Sequence, residues 1–151
     1  MPKHLSTGSK RWLQAVGALY LLNFVMITFV RAPIASLGPE GALAQAAAGE
    51  PMARFLVDTW TLFGLEVGAV GVALLIASRV PDQARALMWT VIAIEASRGI
   101  IADLYMIVRG NDATVLGVWI VIHAAVIATG LLCLRRTGEA RLVSKPAGSR
   151  S

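Results

Sequence analysis

The amino-acid sequence predicts an all-α fold: an integral membrane four-helix bundle with both termini in the cytoplasm. Of its 151 residues, 56% are hydrophobic, and the mean hydropathy is +0.67, above the usual globular range. The apolar residues fall into four blocks of about 20 residues, the length that crosses the hydrocarbon core as a helix. Lys and Arg collect at the ends of these blocks, as they do in membrane proteins.

The first predicted span covers residues 12–30 and follows a short polar tail, residues 1–10. This apolar run is longer than that of a signal peptide, and no clear A-x-A cleavage site follows it, so we interpret it as a span. Residues 31–53 form the only long connection, which we place outside the cytoplasm. Within this loop, Gly38-Pro39-Glu40 has the composition of a helix start, which predicts a short surface helix over residues 42–48.

The other predicted spans cover residues 55–78, 86–108 and 114–134. The links between these three spans are so short that consecutive spans must form antiparallel hairpins. Residues 136–151 are basic and contain Pro146, so we expect a disordered cytoplasmic tail. The predicted transmembrane domain is therefore residues 11–135.

The distribution of Lys and Arg predicts the orientation of the bundle. Ten of these residues lie on the side of the two termini, three lie on the opposite side, and Arg98 lies within a span. The ten are Lys3, Lys10, Arg11, Arg79, Arg85, Arg135, Arg136, Arg141, Lys145 and Arg150; the three are Arg31, Arg54 and Arg109. Trp12 and Trp89 then mark the inner interface, while Trp60 and Trp119 mark the outer one.

The net charge of +5 raises the question of nucleic-acid binding. The basic residues flank apolar blocks and no nucleic-acid-binding motif is present, so we expect no nucleic-acid partner. No metal motif occurs either, because the histidine and carboxylates of the spans lack the spacing of a ligand set. We expect neither a metal nor a cofactor.

The third predicted span carries Glu95 and Arg98 at its centre and Asp103 further along. An ionisable side chain at the bilayer centre costs about 2.5–3.5 kcal/mol on insertion scales, so such residues pair or face a polar interior. Glu95 and Arg98 are three residues apart and share a helix face with Gly99, which would let a neighbouring helix approach closely. Two interpretations stay open: a structural ion pair that fixes helix register, and a site that binds a ligand or handles protons.

Three further polar residues lie at similar depth in the other spans: Asn23, Glu66 and His123. We expect them to join Glu95 and Arg98 in one polar layer, with Asn23 mainly as interhelical glue. Two ionised glutamates beside one arginine would leave a net negative charge. A proton, a protonated His123 or a bound cation should therefore neutralise the layer.

Two surface features complete the predicted bundle. Asp58, Asp103, Arg54 and Arg109 approach the outer interface, where we expect them to form a polar network that closes the bundle. Three glycines, Gly64, Gly68 and Gly71, form a stripe on the second span, on the side opposite Glu66. This stripe would pack against another helix of the bundle or against a second copy of the protein in a homodimer.

Short stretches in the first three predicted spans and in the long loop resemble the BphX-like family of small four-span bacterial membrane proteins. They are YLLNF at 20–24, RAPI at 31–34, RFLVDTW at 54–60, FGLEVG at 63–68, IEASRG at 94–99 and DLY at 103–105. The resemblance covers residues 11–135 and implies a multi-pass protein of the bacterial inner membrane. The family's link to aromatic catabolism is one of association, and it implies no established activity. DoxX-like proteins and the four-helix sterol-isomerase and emopamil-binding group are similar more loosely.

Three functions fit these observations. The first is an accessory protein that binds or handles a small lipophilic molecule, aromatic ones included, at the polar layer. The second is a proton-coupled transporter of such molecules, and the third is a non-catalytic membrane scaffold or assembly partner. Enzymatic activity is the less favoured interpretation, because any chemistry would have to be acid–base chemistry within the bundle.

Overall fold

The structure, a computed structural model, describes residues 6–30 and 41–143, which form helices joined by short turns with no strand among them. The predicted all-α class is therefore confirmed. The helices are α1 (Thr7–Val25), α2 (Ala42–Ala47), α3 (Pro51–Ala77), α4 (Pro81–Ile94), α5 (Ala102–Val108) and α6 (Ala113–Val143). Two stretches have the wider π-helical turn: Met26–Val30 after α1, and Glu95–Ile101, here called the central π segment, between α4 and α5.

The chain divides into two compact units. The helix-pair unit, Ala15–Ile76, contains most of α1 together with α2 and α3. The larger unit comprises Met1–Gln14 and Ala77–Ser151, so it contains the start of α1 and all of α4, the central π segment, α5 and α6.

Helix α1 begins at Thr7, five residues before the predicted span, because Ser6 caps it. The backbone N–H of Ser9 donates to the Ser6 hydroxyl at 3.1 Å, and the N–H of Lys10 donates to the Ser6 carbonyl at 3.0 Å. A serine at this position satisfies an amide that the first helical turn leaves without a partner. The predicted tail, residues 1–10, is therefore partly helical, while residues 1–5 lie outside the described residues.

The short helix predicted in the long loop is confirmed as α2. It ends at Gly49, whose φ of 96° suits a residue without a side chain. Glu50 then caps α3, because its carboxylate accepts from the N–H of Ala53 at 2.8 Å, and Pro51 occupies the first helical position. These caps start α3 four residues before the predicted span. The predicted helix start at residues 38–40 lies outside the described residues.

The predicted span 86–108 is part of one continuous helical rod, residues 81–108, interrupted only by the central π segment. Pro81 stands in its first turn, and Gly110, with a φ of 89°, follows its end. Such a proline start and glycine end are favoured at helix termini.

Helix α6 continues to Val143, nine residues past the predicted end of the fourth span. The prediction of a disordered tail over 136–151 is therefore wrong for its first half. The residues after Leu134 are mostly good helix formers, and no proline interrupts them before Pro146. Residues 144–151 lie outside the described residues.

Three of the described helices are long and apolar enough to cross a membrane: Thr7–Val30, Pro51–Ala77 and Ala113–Arg136. The rod 81–108 is not among them, because Glu95, Arg98 and Asp103 lie within it. Large apolar side chains are exposed on every long helix, including Phe29 at 69% and Val121 at 68%. These features indicate association with a membrane, since a soluble protein rarely exposes so much apolar surface.

In the helix-pair unit, the glycine stripe of α3 faces α1. A Cβ at Gly71 would lie 3.1 Å from the carbonyl oxygen of Gly17, and a Cβ at Gly68 would lie 2.9 Å from the ring of Phe24. Gly64 is in similarly close contact with Thr28. Small residues thus allow the two backbones to approach closely. The prediction that the stripe packs against another helix of the same chain is therefore confirmed. A homodimer stays a prediction.

In the larger unit, Trp12 joins α1 to α6. Its indole N–H lies 3.1 Å from the Thr129 hydroxyl and 3.3 Å from the Val126 carbonyl, to both of which it can donate. The ring also lies against Gly130, where an added Cβ would be 2.9 Å from it. Trp12 is 6% exposed, so it lies in the core of this unit.

We expect Gly71→Ala to destabilise the protein by about 1–3 kcal/mol, because the new methyl group meets backbone atoms that cannot move aside. Thermal unfolding in detergent measures this effect. Gly117→Ala is the matched control, since a Cβ there has nothing within 4 Å and alanine favours the helix. Equal unfolding temperatures for the two variants would contradict the packing described here.

We expect Trp12→Phe to cost about 1–2 kcal/mol, because it removes a buried hydrogen-bond donor while keeping an aromatic ring. Trp89→Phe serves as the control, since Trp89 is 48% exposed. The measurement is again the unfolding temperature in detergent. A loss of the same size in both variants would show that the indole N–H of Trp12 contributes nothing specific.

Candidate functional site

The most buried charged residue described in the chain is Glu95, which is 4% exposed and begins the central π segment. Its carboxylate oxygen Oε2 forms a hydrogen bond with Nδ1 of His123, which lies near the middle of α6. The two residues are 28 positions apart in the sequence. This contact joins the most charged helix of the chain to an apolar one.

The second ring nitrogen of His123 faces another carboxylate. Its Nε2 lies 3.7 Å from Oδ2 of Asp103, which is too far for a hydrogen bond but close enough for strong electrostatic interaction. Asp103 Oδ2 is buried and has no hydrogen-bond partner among the described residues. Each nitrogen of the imidazole therefore faces a carboxylate oxygen. We call Glu95, His123 and Asp103 the carboxylate–imidazole site.

The central π segment explains why Glu95 and Asp103 can face the same ring. Residues eight apart on a regular α-helix diverge in direction, whereas residues seven apart share a face. A π-helical turn closes its hydrogen bonds between residues five apart and so accommodates an additional residue. With this additional residue, Glu95 and Asp103 point in similar directions although they are eight residues apart, as residues seven apart do on a regular α-helix. Such π-helical insertions are frequent at functional sites.

Gly99 creates the space that the imidazole occupies. A Cβ added at Gly99 would lie 2.6 Å from Nδ1 and 2.8 Å from Cδ2 of His123, which is closer than any real side chain could be. The ring thus rests on the backbone of the central π segment. The expectation that Gly99 permits close approach of a neighbouring helix is confirmed, and α6 is that helix.

Trp119 lies one helical turn before His123, with its ring centroid 6.2 Å from that of the imidazole and a tilt of 32° between the planes. The His123 side chain remains 22% exposed and Asp103 17% exposed. The site is therefore enclosed at Glu95 and less buried at the side chains of His123 and Asp103, although Oδ2 of Asp103 is itself buried.

The composition of the site permits proton exchange and polar recognition. An imidazole protonated on both nitrogens can donate toward both carboxylates, while a neutral imidazole can donate toward only one. With a protonated imidazole, Glu95, Asp103, His123 and Arg98 together carry no net charge. No group of three or more metal-binding side chains is arranged to hold a metal ion in the part of the chain that the structure describes.

A family model described as BphX-like matches residues 6–139 of the chain. The chain belongs to the BphX-like family. An uncharacterized BphX-like protein of Burkholderia cepacia is 33% identical over 127 residues, which cover 82% of this chain and 88% of that protein. An uncharacterized BphX-like protein of Paraburkholderia xenovorans (strain LB400) matches to the same extent. No solved structure matches the chain significantly.

The other predicted site residues of this BphX-like chain have different surroundings. Arg98 is exposed although Glu95, three residues earlier, is buried. Glu66 lies in the helix-pair unit, where its side chain is exposed, and Asn23 is half-buried in the same unit. The structure thus brings together Glu95 and His123 from the predicted polar layer. The membership of Arg98, Glu66 and Asn23 stays a prediction.

The predicted outer network stays a prediction: Arg54 and Asp58 lie in the helix-pair unit, while Asp103 and Arg109 lie in the larger unit. Arg54 donates from Nε to the carbonyl of Ala46 at 3.1 Å, at the end of α2, and it makes no ion pair with Asp58 among the described residues. Asp103 turns toward His123, while Arg109 is exposed at the end of α5. Sequence reasoning placed Asp103 in this outer network and not beside Glu95, because it assumed a regular α-helix throughout.

We expect Gly99→Ala to displace His123 from Glu95 in this BphX-like protein and to cost about 1–3 kcal/mol, since the methyl group would overlap the ring. The chain contains only two histidines, so ¹⁵N-histidine labelling of a His4→Gln background gives the imidazole signals of His123 alone. Both signals should shift in Gly99→Ala and stay unchanged in Gly117→Ala. Unchanged signals in Gly99→Ala would contradict the contact between Gly99 and the ring.

Proposed function

We propose that this protein crosses the bacterial inner membrane four times, with both termini in the cytoplasm, and binds a small lipophilic molecule at the carboxylate–imidazole site. The observation that carries this proposal is the imidazole of His123 between the carboxylates of Glu95 and Asp103. Three ionisable side chains are costly within a membrane span. A purely structural contact would need only one carboxylate, and Glu95 already provides it.

The unequal burial of the three side chains supports a binding role. Glu95 is enclosed, whereas the side chains of His123 and Asp103 are partly exposed. A hydroxyl group there could accept a hydrogen bond from Nε2 and donate one to Asp103 after a small movement of that side chain. A molecule soluble in the bilayer and carrying one hydroxyl group, such as a phenol, has this chemistry. The apolar surroundings would accommodate its hydrocarbon part.

Proton-coupled transport is the second candidate. The positions of the two carboxylates along the helix axis favour it. Glu95 and Asp103 are eight residues apart along a membrane-crossing rod, which corresponds to about 12 Å of helix rise. The imidazole lies between them and has one nitrogen toward each. A histidine so placed can accept a proton on one side and release it on the other.

A ligand-binding test distinguishes these functions from a scaffold. The probes are 2-naphthol and naphthalene, which differ only in the hydroxyl group, and the measurement is the unfolding temperature in detergent. At ten times its Kd, a ligand that binds only the folded protein stabilises it by about 1.4 kcal/mol. We expect 2-naphthol to stabilise the parent protein more than naphthalene does.

Two variants identify the binding site in this test. Glu95→Gln should lose the preference for 2-naphthol, because the amide no longer holds His123 as the carboxylate does. Asp58→Asn, which removes an exposed carboxylate of α3, should keep it. If neither compound stabilises the parent protein, the binding proposal fails. If Glu95→Gln then only lowers stability, the site is structural and the scaffold interpretation is favoured.

A further inference from the structure

The positive charges of the larger unit gather at one end of it. Six exposed cationic side chains lie at the start of α1, in the turn from α3 to α4 and in α4, and in the last turns of the described part of α6. They are Lys10, Arg11, Arg79, Arg85, Arg135 and Arg136. None makes an ion pair with a carboxylate whose side chain the structure describes. Two acids, Asp82 and Glu139, occur in the same stretches of the sequence, so the cations outnumber them.

The packing within the larger unit brings these helix ends to one level. A Cβ at Gly130 would lie 3.2 Å from Ile92 and 2.9 Å from Trp12, so α1, α4 and α6 meet there. Arg85 lies two turns before Ile92 on α4, and Arg136 lies nearly two turns after Gly130 on α6, which runs the opposite way. Arg85 and Arg136 therefore lie at the same end of the larger unit, beyond the contact between Ile92 and Gly130.

The start of α1 belongs to the same end. A Cβ at Gly8 would lie 3.8 Å from Sγ of Cys133, which places Lys10 and Arg11 beside the turn of α6 that directly precedes Arg135 and Arg136. Trp89, one turn after Arg85, is 48% exposed. An exposed tryptophan next to arginines is typical of the level where lipid headgroups meet acyl chains.

We propose that this end of the larger unit binds the headgroup of an anionic phospholipid. Six cations lie toward the same end of three adjacent helices, beyond the apolar contact of Trp12, Ile92 and Gly130. A lipid phosphate can contact several arginines while its acyl chains lie along the exposed apolar faces of α4 and α6. This inference is independent of the carboxylate–imidazole site and of any ligand bound there.

The experiment compares lipids that differ only in headgroup charge. The full-length protein in detergent is titrated with phosphatidylglycerol or with phosphatidylcholine of the same acyl chains, and the unfolding temperature is followed. We expect phosphatidylglycerol to raise this temperature at lower concentration than phosphatidylcholine does. Glycerol 1-phosphate, the soluble headgroup, should have no effect at the same concentrations, because it lacks the acyl chains.

A double variant, Arg79→Gln/Arg85→Gln, tests the assigned end. The concentration of phosphatidylglycerol that gives half the effect should rise roughly fivefold for each arginine removed. The matched control Arg54→Gln/Arg109→Gln removes two exposed arginines elsewhere and should leave this concentration unchanged. Arg79→Lys/Arg85→Lys keeps the charge and should restore most of the binding if the glutamine variant folds poorly.

Three results would overturn the proposal. The first is an equal response of the parent protein to phosphatidylglycerol and phosphatidylcholine. The second is an unchanged half-effect concentration in Arg79→Gln/Arg85→Gln. The third is stabilisation by glycerol 1-phosphate alone to the same extent, which would indicate a phosphate site without lipid specificity.

Discussion

The contact between Glu95 and His123 is the constraint on which the larger unit depends. A buried glutamate in the middle of the rod is costly unless a partner satisfies it, and His123 of α6 is such a partner for its Oε2. That contact fixes which side of α6 faces the rod, and it requires the ring to lie on the backbone at Gly99. The rod, which carries Glu95, Arg98 and Asp103, is thereby bound to α6, which is long and apolar enough to cross a membrane. The contact between Glu95 and His123 therefore both satisfies the buried carboxylate and holds α6 against the rod.

Different interactions hold the helices together in the two units. In the helix-pair unit, glycines on α1 and α3 bring backbone against backbone, so the attraction comes from van der Waals contact over a long interface. In the larger unit, buried hydrogen bonds of Trp12 and Glu95 connect helices that also pack closely at Gly130 and Gly99. Backbone contacts of the first kind tolerate almost no added volume. Contacts of the second kind also depend on the protonation and orientation of polar side chains.

Local rules of sequence predicted most of the helices, because apolar blocks and short links leave few alternatives. The boundaries were less accurate where single residues cap a helix, as Ser6 and Glu50 do, since a cap extends a helix beyond its apolar block. The site was predicted in part: Glu95, His123 and the close approach at Gly99 followed from residue type and face. The contribution of Asp103 did not, because the central π segment changes the angle between residues on the rod, and no sequence period reveals such an insertion.

The central π segment also explains why a structural and a functional role need not exclude each other here. In a regular helix, Glu95 and Asp103 would diverge, and His123 could satisfy only one of them. The insertion directs both carboxylates to one ring, although a single hydrogen bond would suffice to hold α6 in place. The second carboxylate, 3.7 Å from Nε2, adds charge in a region where charge is costly and adds no hydrogen bond in return. The second carboxylate has no structural explanation in the described residues, and this is why we propose that a ligand or a proton occupies the Nε2 side of the ring.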